Sequence, residues 1–102
     1  MMKIERNHPF SVEEARTRLE ALTTYWDTKY GIKPQWSGNT LRCKGSVKGI
    51  DFDAKMDILD RVVKCEAEVG WLAERLGARA YIEKKLTEYI DPSKKTEALP
   101  RG

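Results

Sequence analysis

KGIDFDAKMDILDRVVKCEAEV, Lys48 to Val69, is the stretch that decides the fold. From Ile50 the residues alternate. Ile50, Phe52, Ala54, Met56 and Ile58 fall on one side, and Asp51, Asp53, Lys55 and Asp57 on the other. Side chains on a strand alternate faces with period two, so this is a strand with one dry and one wet face. Leu59-Asp60-Arg61 makes a tight connection. Val63, Cys65, Ala67 and Val69 then repeat the alternation against Lys64, Glu66 and Glu68. The stretch is an antiparallel hairpin with an apolar floor, and the rest of the chain is expected to cover that floor.

Upstream, Thr40 to Lys44 predicts a strand with Leu41 and Cys43 inward and Arg42 and Lys44 outward. Ser37-Gly38-Asn39 is a turn. Ile32 to Trp36 is a further strand, whose Pro34 suits a sheet edge. Gly45 and Gly49 bracket a flexible or bulged connection into the hairpin. Links this short favour an antiparallel meander of four strands.

Helical signals flank the meander. Ser11 is a good N-cap, with Glu14 three residues on to complete a capping box and Phe10 placed to staple onto Ala15. Val12, Ala15, Leu19, Leu22 and Trp26 form one stripe at helical spacing, and Gly31 supplies the left-handed stop. The predicted helix is Ser11 to Tyr30. A second helix is predicted from Trp71 to Ile90, with Leu72 and Leu76 on one face. Gly77 weakens it by about 1 kcal/mol relative to alanine. Ile82, Leu86 and Tyr89-Ile90 resume the stripe. Met2 to Arg6 is a short edge strand or arm, ended by His8-Pro9. The fold expected is α+β, a two-layer sandwich of helix, four-stranded antiparallel meander and helix with a short N-terminal edge strand. Residues 1–91 make the single domain, and 92–102 are expected to be a disordered tail.

The chain has 102 residues and a formal net charge of +3, with acids and bases interleaved. That leaves no electrostatic footprint for nucleic acid, and the charged outer sheet face lacks the stacking aromatics of an RNA reader. No apolar run approaches the ~20 residues of a membrane helix, and MMKIERNHPF lacks the apolar core of a signal peptide. A cytoplasmic protein is expected. Cys43 and Cys65 lie on inward positions separated by an intervening strand. Two spacings of ~4.8 Å exceed the ~7 Å reach of a disulfide, so both are read as buried thiols. Asp51, Asp53 and Asp57 share a face, but Lys55 stands among them and no calcium-loop spacing is present. No nucleophile–base pair, P-loop or dinucleotide glycine pattern occurs, so no catalytic, cofactor-binding or metal-binding residue is assigned. The candidate interaction residues are Trp26, Trp36 and Trp71, which line a groove between helices and sheet if one exists, together with Arg6 and His8.

An ordered set of short matches resembles a small bacterial family of polyhydroxyalkanoic acid system, or granule-region, proteins. The set comprises Ile4-x-Arg6-x-His8, Glu14-Ala15-Arg16, Tyr30-Gly31, Trp36-x-Gly38-x-x-Leu41, Gly49-Ile50, Glu66-x-Glu68-x-Gly70 and Ile82-Glu83-x-x-Leu86, over residues 3 to 90. The chain departs from the family in the basic tail after Asp91-Pro92, and in Cys43 where a larger apolar residue is expected. The resemblance implies a cytosolic, non-enzymatic accessory protein at or near storage-polyester granules, with no cofactor and no catalytic residues to carry over. It leaves Arg6 and His8 as an interaction arm. The fold it implies is similar to a shortened helix-grip, lipid-binding domain, which says nothing by itself about function. The partners expected are the granule surface, granule proteins or a lipid-like ligand. The alternatives are a homodimeric protein-interaction module and, further back, a nucleic-acid-binding domain.

Overall fold

The computed structural model describes residues 2–47, 49–70, 73 and 75–102, without the side chains of Val47 and Ile50. Its elements in chain order are β1 (Met2–Asn7), α1 (Val12–Tyr30), β2 (Lys33–Ser37), β3 (Thr40–Val47), β4 (Ile50–Leu59), β5 (Val62–Val69) and α2 (Ala78–Tyr89). The five strands form one antiparallel sheet in the order β1-β5-β4-β3-β2. This is the expected meander of four strands with β1 added beside β5.

Register explains why one face is dry. Ile4 stands opposite Cys65, Cys65 opposite Met56, Met56 opposite Leu41 and Leu41 opposite Trp36, so one inward row crosses all five strands. The neighbouring row, Met2, Ala67, Ala54, Cys43 and Pro34, is mostly small. A one-residue slip would turn both rows to solvent, so burial of this face fixes the register. Cys43 on β3 and Cys65 on β5 are buried, unpaired and separated by β4. Burial pushes their thiols up to about 12 and about 11.

The connection between β3 and β4 corrects the sequence expectation. Gly45 is no bulge: it is paired with Phe52 inside a continuous ladder that runs to Val47 and Ile50. A Cβ at Gly45 would lie 3.0 Å from Ile32 Cγ1 and 3.2 Å from Ile32 Cα, so glycine there lets the chain entering β2 press onto β3. Gly49, at φ 81°, supplies the turn.

Both helices lie on the dry face. Ala15, Leu19, Leu22 and Trp26 are buried there, as the stripe predicts. Ser11 caps α1 by accepting from the Glu14 N–H at 3.3 Å, and Gly31 closes it at φ 70° with its N–H on Asp27 O. The Glu14 carboxylate does not complete a capping box. It is drawn away by Arg18 and Thr96. The described second helix begins only after Gly77, which sits at φ 97° as its N-cap, a conformation that favours glycine. Ile82, Leu86, Tyr89 and Ile90 are buried, whereas Leu76, expected to share a face with Leu72, is 74% exposed. Trp71 and Leu72 lie outside the described residues.

The last residues extend the helical layer. Residues 92–102, expected to be disordered, run along α1 with a 3-10 turn at Thr96–Ala98. Thr96 Oγ1 donates to Glu14 at 2.7 Å, and Thr28 Oγ1 donates to Arg101 O at 3.2 Å. Leu99, between those anchors, joins the hydrophobic core.

Candidate functional site

Arg6 and His8 sit where β1 ends. Arg6 is on the helix-bearing side of the sheet and pairs with Glu83 of α2 at 3.0 Å. Arg79 joins them, donating to Glu83 at 2.9 Å and to Lys3 O at 3.1 Å. The last contact occupies a carbonyl of the sheet's edge strand.

His8 is buried, and both ring nitrogens are engaged. The Phe10 N–H donates to Nδ1 at 3.1 Å, so Nε2 is the ring donor, and it reaches Leu59 O at 3.1 Å. The His8 backbone N–H donates to Arg61 O at 2.9 Å. Leu59 ends β4 and Arg61 lies in the two-residue turn Asp60-Arg61 that joins it to β5, and Arg61 adopts φ 68°, an uncommon value for a residue with a side chain. His8 therefore fastens a strained turn from the neighbouring strand.

The tryptophans do not converge on one opening. Trp26 is buried, meets Phe52 edge-on at 6.0 Å, and donates from Nε1 to Tyr81 Oη at 3.3 Å. Trp36 is half-buried on the opposite edge strand, with the Arg16 guanidinium 4.6 Å from its ring. Trp71 falls outside the described residues, so its place relative to the other two is not described.

Two features had only weak sequence signals. Arg18 is a buried hub. Its guanidinium donates to the carbonyls of Tyr89 at 3.3 Å, Asp91 at 3.1 Å and Lys94 at 2.6 Å, lies 3.3 Å from Glu14, and covers the Phe10 ring at 4.1 Å. In the sequence Arg18 looks like an ordinary flank residue of an amphipathic helix. Its one clue is adjacency to Leu19, on the edge of the apolar stripe. The second feature is a tyrosine–lysine cluster between α1 and α2. Lys29 donates to Tyr25 Oη at 3.0 Å and holds that phenol below its ordinary value. Lys85 lies 4.6 Å from the Tyr25 ring. Burial pushes the Tyr81 hydroxyl up to about 12, so it stays protonated near neutrality.

These groups offer structure rather than reactivity. Both thiols are buried and hard to ionise, the histidine ring is committed on both sides, and Tyr81 serves as a hydrogen-bond partner. Among the described residues no group of three or more His, Cys, Asp and Glu side chains converges. No described helix is long and apolar enough to cross a membrane.

A different place draws notice, the end of the sheet where β4 begins and β5 finishes. Phe52 and Val69 face each other there across the ladder and remain only half-buried, beside a shallow depression rimmed by Lys44, Asp51, Asp53 and Glu68. Leu76, seven residues beyond Val69, is the most exposed large apolar side chain described.

The class is thus a small two-layer α+β protein whose buried polar groups are spent on architecture. Over residues 2–93 the chain matches the family described as "Putative polyhydroxyalkanoic acid system protein", and it belongs to that family. That description indicates no catalytic function. Neither the curated proteins nor the solved structures provide a match.

Proposed function

We propose that this chain is a non-enzymatic, cytoplasmic accessory protein of polyhydroxyalkanoate systems that rests on a hydrophobic surface, the storage polyester or its coat, through the end of the sheet where β5 gives way to α2. The supporting observation is Leu76, which at 74% is the most exposed large apolar side chain among the described residues. Phe52 and Val69, half-buried at the end of the sheet that β5 leaves, add apolar surface, and the surrounding charges are suited to a wet rim. An exposed apolar patch with a polar border is the usual mark of a surface that meets another. The sheet edges offer less to a second copy, since Arg79 occupies the Lys3 carbonyl on β1 and Pro34 lacks a donor on β2.

Co-sedimentation of the full chain with isolated polyester granules tests this function. The wild-type chain is expected to pellet with granules, and Leu76→Asp to lose at least about half of that binding while keeping its circular dichroism. A wild-type chain that stays in the supernatant overturns the proposal.

A further inference from the structure

The seating of residues 96–101 differs from ordinary core packing. It uses one buried leucine, two side-chain hydroxyls aimed at backbone carbonyls, and one hydroxyl aimed at a carboxylate. Thr96 donates to Glu14, Thr28 donates to Arg101 O, and Tyr89 donates to Pro100 O. Leu99 lies between the two outer anchors in the chain, and Ala21 lies midway between Glu14 and Thr28 on the helix. Both are buried, at 3% and 1% exposure. Glu14, Ala21 and Thr28 are spaced by seven residues, two helical turns, so they form one line along α1. Tyr89 contributes the facing wall from α2.

These are the contacts by which grooves take extended peptides, with main-chain hydrogen bonds for affinity and a pocket for one side chain. The division of the chain supports the same view. Every residue of the groove lies within the segment 2–93 that matches the family, while its occupant lies beyond it. The groove belongs to the family segment and the plug is appended to it.

We propose that the groove between α1 and α2 is a docking site for a short extended segment of a partner protein, one with a hydroxyl residue three places before a leucine–proline pair, and that residues 96–101 fill it in cis as a displaceable plug. Arg18, which holds the carbonyls of Tyr89, Asp91 and Lys94, sets the point from which the plug swings. The site is separate from the apolar patch at Leu76, so the two readings fail independently.

The test uses the full chain, the variant Leu99→Asp, and a labelled peptide of residues 95–102, KTEALPRG. Fluorescence anisotropy is expected to show saturable binding of the peptide to Leu99→Asp, at least about tenfold weaker binding to the wild type, whose groove is filled, and none by a peptide carrying the same aspartate. Absence of saturable binding to the folded variant, or equal binding to both chains, overturns the proposal. If Leu99→Asp does not fold, hydrogen exchange of the wild type decides. The Leu99 amide, bonded to Thr96 O at 3.2 Å, is expected to exchange at least about tenfold faster than the paired amides of β4 and β5. Equal protection would make the tail part of the cooperative core and end the proposal. A wild-type dimer that Leu99→Asp abolishes would assign the groove to the tail of a second copy instead.

Discussion

The two ends of the sheet are finished differently. At the end holding the β4–β5 turn, polar groups are matched one to one. His8 ties the carbonyls of Leu59 and Arg61, and nearby Arg18 ties those of Tyr89, Asp91 and Lys94. At the other end, Phe52 and Val69 are only half-buried, and Leu76 projects beyond them in the chain. The lesson concerns where to look for function. His8 attracts attention in the sequence and Arg18 does not, yet both are consumed here by turns and helix ends. Leu59 is 43% exposed at the locked end, but the most exposed large apolar side chain described, Leu76, follows the strand that leaves the opposite end.

Breaking the locked end is expected to have the largest effect. Arg18→Ala removes the donor to three carbonyls at once, one buried and two part-buried, and leaving such acceptors unpaired costs about 3 kcal/mol. Urea denaturation followed by circular dichroism measures it. A loss below about 1 kcal/mol would show that water replaces the guanidinium and that this end is not locked. His8→Ala is expected to cost about 2 kcal/mol, since it frees the Leu59 carbonyl and the Phe10 N–H and relaxes the hold on Arg61. Arg61→Gly should recover part of that loss, because glycine adopts the left-handed turn without strain.

At the open end the expected stability effect is small. Leu76→Asp should change unfolding free energy by no more than about 0.5 kcal/mol, as exposed substitutions generally do. A larger loss would mean that Leu76 packs in solution, and the contrast between the ends would fade.

The smallest effect is a pH dependence at the tail. The hydrogen bond from Thr96, followed by Arg18, holds the Glu14 carboxyl below its ordinary 4.5. A depressed folded-state value stabilises the fold above the unfolded value and loses that contribution as pH falls through the folded one. The melting temperature should therefore decline slightly more below pH 4.5 in the wild type than in Thr96→Val, a difference readable by thermal denaturation. No difference would place the Thr96–Glu14 contact at no energetic weight.

The layer order, the strand pairing and the dry face of the sheet were legible from Ile50 to Val69, because period-two alternation is a local property of the chain. Ser11 and Gly31 were legible as the ends of α1 for the same reason, each acting on backbone groups within four residues. The stretch around Gly77 was legible in part, since glycine there signals a weak point where the helix bends. Its apolar residues keep helical spacing, but the left-handed glycine starts a new helix and leaves Leu76 outside.

What the sequence alone determined was therefore set by neighbours along the chain: the strand period, the two ends of α1 and the separation of the two cysteines. Tertiary structure decided the fate of the long polar side chains and of the tail. Arg18, His8 and Glu14 find partners 51 to 82 residues away in the chain. No local pattern encodes such pairs, because a side chain with several donors or acceptors is settled by whichever carbonyls and hydroxyls the packed elements bring within reach. The polar composition of residues 92–102 signals disorder when read alone. A single leucine, two threonines and a tyrosine hydroxyl, brought together by the helix pair, hold part of it in place.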